Sequence, residues 1–305
     1  MISGYNNFFY AGGKLQITRE KGGEVMKFLQ ERKMGALLIP VQCVRNTVLK
    51  LIGVDEEPKR NVAEEEKILA TNNSMKTIHY DQMMYISFMF RLFDETRYYA
   101  EEFLVCIASS TWANLLFVHS FRAFYIGLVS YWVARSSCDT GQWYERGNKS
   151  KLALKKWAET CRWTFEHKWY LLEAEEAFCN GRYDDAKLYY EKAVTSAKDH
   201  KFIHEEALAC ELAAYFHLEI GELNTSVDYC LQAHEKYQEW GAIGKCTSLF
   251  NFFESTMKKC VDLRSAISQD ISNGVQSELA RLLSEDSRNA EVRKRRIGGN
   301  HLGGP

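Results

Sequence analysis

Only three prolines interrupt the 305 residues, one of them the last, and no stretch sustains the apolar-polar alternation of a half-buried strand. A sheet-based architecture is thereby excluded, and an almost entirely helical chain is expected. The nine cysteines, at 43, 106, 138, 161, 179, 210, 230, 246 and 260, are odd in number and include no Cys-x-x-Cys pair. This excludes a complete disulfide framework and the usual closely spaced zinc site, and it fits the reduced thiols of a cytosolic or nuclear protein, of which the cytoplasmic reading is taken. A formal net charge of −1 gives no push toward nucleic acid or an acidic membrane. The opening MISGYNNFFYAGGKL lacks a basic start followed by a long apolar core, so it is not a secretory signal.

The chain does contain a pattern written twice. LLEAEEAFCNGRYDDAKLYYEKAVTSAKDHKF, from Leu171, is followed by ELAAYFHLEIGELNTSVDYCLQAHEKYQEWGA, with Gly181 and Gly221 standing 40 residues apart. The same offset pairs Leu172 with Leu212, Ala174 with Ala214, Tyr189 with Tyr229 and Ala193 with Ala233. Periods of this length mark stacked helical hairpins, each burying its apolar face against its neighbours. A helix end near Asn180-Gly181 and acids at Asp184 and Asp185 frame the turn. Beyond it, Ala186, Tyr190, Ala193 and Ala197 share one helix face of small and aromatic residues. Their placement follows the tetratricopeptide pattern; the second copy is looser, with Ser226 and Cys230 for Ala186 and Tyr190, and 40 exceeds the usual period of about 34. The fold class is therefore all-α, a tetratricopeptide-like array of helical hairpins (an α-solenoid).

The organisation read along the chain has four parts. Residues 1–135 are N-terminal helical hairpins, 136–150 a turn-rich break, and 151–267 the repeat pair with a following helix. Residues 268–305 form a short amphipathic helix and a basic, Gly-rich disordered tail carrying Arg293-Lys294-Arg295-Arg296. Tyr5 to Tyr10 reads as the last turns of a helix stopped by Gly12-Gly13, with no preceding helix to pack on, so the chain is read as a fragment or remnant of a longer protein. One hairpin breaks near Lys33-Gly35 with Pro40 early in its second helix; another turns around Leu92 to Glu95. Residues 55–73 are a polar loop or short acidic helix. Trp112 to Val133 is nearly long enough to span a bilayer, but His119 and Arg122 at its centre and polar helices on both sides make it a buried helix. A long helix is expected from Lys151 to Phe178.

Motifs for chemistry fail on spacing. Gly241-Ala242-Ile243-Gly244-Lys245 is too short between glycines for a P-loop and has Cys246 where a hydroxyl residue would hold magnesium, so it reads as a helix terminus after Trp240. His200 and His204 stand four apart, but Leu208 lies four beyond His204 and the His-Glu-x-x-His order of a metalloprotease helix is absent. Glu205 and Glu206 instead favour a helix start. Glu175-Glu176 and Asp184-Asp185 read as solvated surface. No catalytic residue, cofactor or metal is expected; an enzyme with a site assembled from distant residues is the rival reading.

The stretch Phe202 to Ala214, with Tyr237-x-x-Trp240-Gly241-Ala242-x-x-Lys245 and the Gly181-Arg182-Tyr183 turn, resembles the tetratricopeptide-like region of large signalling proteins that carry an AAA/STAND-type ATPase. Such proteins join a protein-kinase-like domain, the ATPase, this region, and a sensor histidine kinase or nucleotide cyclase. The resemblance implies a regulatory segment between nucleotide switch and output domain. This chain has no P-loop, kinase catalytic loop or histidine-kinase module, so the enzyme activities are not carried over, although an intact parent would be an ATP-dependent kinase or cyclase. The expected function is a non-catalytic helical-repeat scaffold for protein-protein or interdomain interaction in signalling, with no nucleic-acid or membrane partner. If the first helix of each hairpin faces inward, exposed positions near Glu175, Phe178, Tyr215 and Glu219 are the candidate protein-binding residues.

Overall fold

A computed structural model of the chain describes residues 2–54, 69–108, 116–136 and 141–256. The tail from 268, its four basic residues and most of the polar 55–73 segment lie outside the described residues. Among the described residues there is no strand. The helices are α1 (Ile2–Tyr10), α2 (Leu15–Glu31), α3 (Gly35–Ile52), α4 (Asn73–Met89), α5 (Phe93–Ala108), α6 (Leu116–Ser136), α7 (Gly141–Thr160), α8 (Arg162–Cys179), α9 (Tyr183–Asp199), α10 (Ile203–Glu219) and α11 (Leu223–Trp240). A further helix, α12, covers residues 243–256.

One device ends most of these helices. The amide two or three residues past the last helical residue bonds back five residues, as Arg182 N–H does to the Ala177 carbonyl, Phe202 to Ala197, Glu222 to His217, Ala242 to Tyr237, Leu92 to Ser87 and Met34 to Leu29. This closure needs a residue in the left-handed conformation just before it. Gly181, Gly221 and Gly241 supply it with φ of 68°, 84° and 94°, whereas Lys33, Arg91 and Lys201 adopt it without being glycine. The turns are so short that each helix must fold back onto the one before, and α2 packs on α3, α4 on α5, α6 on α7, α8 on α9 and α10 on α11.

Two expectations are corrected here. Residues 141–150, read as turn-rich, form the first half of α7, and the helix expected from 151 to 178 is two helices parted at Cys161. The small and polar residues that read as turns instead pack closely: Gly147 lies against Tyr131, where an added Cβ would come within 2.7 Å of the ring. A continuous apolar core runs across this region, from Tyr5 to Phe253.

The central helices are α6 and α10. Every residue from His204 to His217 on α10 is buried, so that helix has no solvated face. On α6, Phe124, Leu128, Val129 and Val133 are fully buried, and Arg122 Nε donates to the equally buried Asp81 Oδ2 of α4 at 3.1 Å. The cation that argued against a membrane span is thus neutralised inside the protein. No helix among the described residues is long and apolar enough to cross a membrane.

α1 is not the unpartnered stub that its sequence implied. Its aromatic residues lie against helices far along the chain: Phe9 stacks on Trp240 at 6.5 Å and meets Tyr85 edge-on at 5.9 Å. Tyr10 packs on Phe121 at 4.4 Å and accepts a hydrogen bond from Gln82 Nε2 at 3.0 Å. Trp240 Nε1 donates to the Gly13 carbonyl at 3.0 Å. Gly12, at φ 78°, admits the His204 ring so closely that a Cβ would fall 2.1 Å from Nδ1. Phe9→Ala should therefore cost about 3–5 kcal/mol, the usual loss for an emptied aromatic site. Urea denaturation would read it; a loss under about 1 kcal/mol would mean that α1 does not hold this seat in solution.

Candidate interaction site

The C-terminal ends of α4, α6, α8 and α10 converge on one rim. α4 delivers Arg91 in its closing turn, α6 delivers Trp132 and Arg135, α8 delivers Glu175 and Phe178, and α10 delivers Tyr215 and Glu219. Positive side chains suit this place, because the last carbonyls of a helix carry partial negative charge.

Arg135 Nη1 donates to Glu175 Oε2 at 2.9 Å, and its guanidinium lies 4.1 Å from the centre of the Phe178 ring. Burial opposes the charge on Arg135, but the Glu175 carboxylate outweighs it and holds the guanidinium more firmly protonated than usual. The other Glu175 oxygen accepts from Tyr190 Oη at 2.5 Å. Burial first, and this carboxylate second, push the Tyr190 phenol well up.

Arg91 is the second arginine of the rim. Its guanidinium carbon lies 3.9 Å from the Trp132 ring and 4.5 Å from the Tyr215 ring. Trp132 is held edge-on by Phe93 at 5.1 Å and Phe88 at 5.9 Å. Tyr215 stacks on Phe253 at 5.5 Å and meets the half-exposed Phe252 edge-on at 5.1 Å. Beneath lies Lys245, fully buried, which donates to Glu211 Oε1 at 2.5 Å and to the Met89 carbonyl at the end of α4. Glu211 also accepts from Tyr237 Oη at 2.6 Å.

All four residues nominated from sequence reach this rim or its supports, but only Glu219 is exposed there. Glu175, Phe178 and Tyr215 are 3%, 7% and 7% exposed, which corrects the expectation of free surface positions. The physical reason is that each supports an arginine. Glu176, also read as solvated, is buried under Tyr144, Lys151 and Arg182.

Arg91, Trp132 and Arg135 were missed, although a signal for Arg91 exists. Tyr99 follows Arg91 by the same eight residues that separate Tyr189 from Gly181 and Tyr229 from Gly221. Arg91 therefore occupies the glycine position of a related turn, at φ 57°. A side chain kept where glycine would be unstrained points to use.

A second cluster joins α8 to α10. Glu205 Oε2 accepts from Lys168 Nζ at 2.6 Å and from His167 Nε2, and Lys168 also donates to the Thr164 carbonyl at 3.0 Å. His204 Nε2 stands 3.6 Å from the other Glu205 oxygen. Burial pulls His167 down to about 4, helped by the adjacent Lys168 charge, and burial lowers His204 too. Glu205 is held far below the usual carboxylate range because Lys168 and the histidines overcome the burial penalty. All four side chains are enclosed, so the arrangement is an internal ion pair with two neutral imidazoles. A shallow surface cavity of about 370 Å³ lies elsewhere, between α8 and α9, bordered by Glu166, Tyr170, Lys192, Ser196 and His200.

Among the described residues no group of three or more His, Cys, Asp or Glu side chains could hold a metal ion. Among the described residues, Cys43, Cys106, Cys161, Cys179, Cys210, Cys230 and Cys246 form no disulfide. No family model, curated protein or solved structure matches this chain.

Proposed function

We propose that this chain is a non-catalytic, cytoplasmic scaffold that binds a protein or a neighbouring signalling domain at the rim formed by Arg91, Arg135 and Glu219. The single observation that carries the reading is the gathering of two aromatic-stacked arginines and the candidate residues Glu175, Phe178, Tyr215 and Glu219 at one edge of the core. Rigid, pre-ordered arginine and aromatic side chains are the groups that dominate binding energy at protein interfaces. The helices are taken as a tetratricopeptide-like solenoid, supported by left-handed turn residues at 181, 201, 221 and 241, one every 20 residues. On the resemblance noted above, the partner would be a regulatory or output domain.

The test compares proteins cross-linked to the tagged chain in lysate across variants. Glu219→Arg should reduce one specific partner roughly tenfold, while Lys192→Glu, on the exposed part of α9, should leave it unchanged. Identical profiles for both variants, or measurable ATP affinity of the purified chain, would overturn the scaffold reading.

A further inference from the structure

Resting on the interaction reading, we infer that Arg91 is an oxyanion receptor, and that the partner presents it with an acidic side chain of a peptide segment beside an apolar residue. Three observations carry this. First, the guanidinium carbon lies 3.9 Å from the Trp132 ring centre and 4.5 Å from the Tyr215 ring centre, which holds the group in place while its edge of N–H donors is the part suited to an oxyanion. Among the described residues, no carboxylate or carbonyl accepts from that edge.

Second, the rim itself shows what such an arginine takes. Arg135 is stacked in the same way, on Phe178, and its edge is filled by the carboxylate of Glu175 at 2.9 Å. The other buried arginine, Arg122, likewise holds Asp81 at 3.1 Å. Among the described residues, no acid plays that part for Arg91. The nearby carboxylate of Glu211 is already committed to Lys245 and Tyr237.

Third, Arg91 adopts φ 57° in a turn whose counterparts at 181, 221 and 241 are glycine and at 33 and 201 lysine. The backbone conformation is one that glycine adopts freely and arginine does not, so the side chain is retained at a cost. Phe252, 42% exposed and packed edge-on against Tyr215, supplies an apolar wall for the residue next to the acid. A planar carboxylate matches the arginine edge with two parallel hydrogen bonds; a phosphoryl group shares that chemistry and is separated from it by experiment.

The full-length chain would be titrated with three synthetic peptides, acetyl-Gly-Phe-X-Phe-Gly-amide, where X is aspartate, phosphoserine or asparagine. The aspartate peptide should bind roughly tenfold more tightly than the asparagine peptide, and more tightly than the phosphoserine peptide. Arg91→Gly, which relieves the left-handed turn and so keeps the fold, should abolish the difference, and Arg91→Lys should restore only part of it. Equal binding of the aspartate and asparagine peptides, absence of binding to either, or discrimination that survives Arg91→Gly would overturn the inference. Preference for phosphoserine would overturn the acidic-peptide assignment. If the peptides fail to discriminate while Glu219→Arg still loses its partner, the oxyanion inference alone falls; if partner retention ignores the rim, the interaction reading falls with it.

Discussion

Lys245→Met is expected to destabilise the protein by about 3–5 kcal/mol, although methionine fills nearly the same volume. The substitution removes the ammonium that neutralises Glu211, a carboxylate with 1% residual exposure, and frees the Met89 carbonyl of its donor. A buried charge without its partner costs far more than the pair was worth, because water cannot reach it. The double variant Glu211→Gln/Lys245→Met should recover most of the loss, leaving Tyr237 Oη a neutral acceptor in place of the carboxylate. Denaturant unfolding of the four members of this cycle would measure the coupling. A single Lys245→Met variant within about 1 kcal/mol of the parent would show that the pair is hydrated rather than enclosed. Burial lowers the Lys245 pKa against the pull of Glu211, so the single variant Glu211→Gln should suffer least at alkaline pH, where the lysine can lose its proton.

The second large effect is acid sensitivity. His167 has a folded pKa near 4 against an ordinary value of 6.5, so between these limits the unfolded chain binds more protons than the folded one. Stability therefore falls as pH drops from about 6.5 to 4, by roughly 3 kcal/mol from this group alone. His204 and His217 are lowered as well and act in the same direction. Glu205 is depressed too, so its contribution is complete above its ordinary value of 4.5 and is lost as pH falls below that. The two processes are sequential: histidines first, then the carboxylate. His167→Gln should flatten the unfolding midpoint between pH 6.5 and 4 while leaving the steeper loss below 4.5. An unchanged slope in the upper interval would place the His167 ring in contact with solvent.

The sequence made the helical class, the helix after Trp240, the Gly181 and Gly221 turns and the buried character of the helix carrying Arg122 legible, because each rests on a local rule. Period, turn residue and the cost of a charge in lipid need no knowledge of what lies across the core. What could not be read were the partners of the charges. Glu175, Glu205 and Glu211 sit on helices whose neighbours in space come from positions 135, 168 and 245. A glutamate beside other polar residues looks solvated until the facing lysine or arginine is known. The same limit hid the rim: Arg91 and Arg135 come from different helices, and only their common position at helix ends brings them together. Of the break predicted at 136–150, the part from 141 onward is helix for a related reason, since Gly147 serves close packing against Tyr131 rather than a turn.

The seat of α1 has a consequence for the order in which the protein can be completed. Gly13 meets Trp240 across 227 residues and Phe9 lies further still, so that part of their seat does not exist until the tryptophan has been synthesised. At usual elongation rates the interval is roughly ten to fifty seconds. Throughout it, Phe9 waits on the nascent chain without the indole ring on which it finally stacks. α1 is made well before that part of its seat, which gives a chaperone time to hold it.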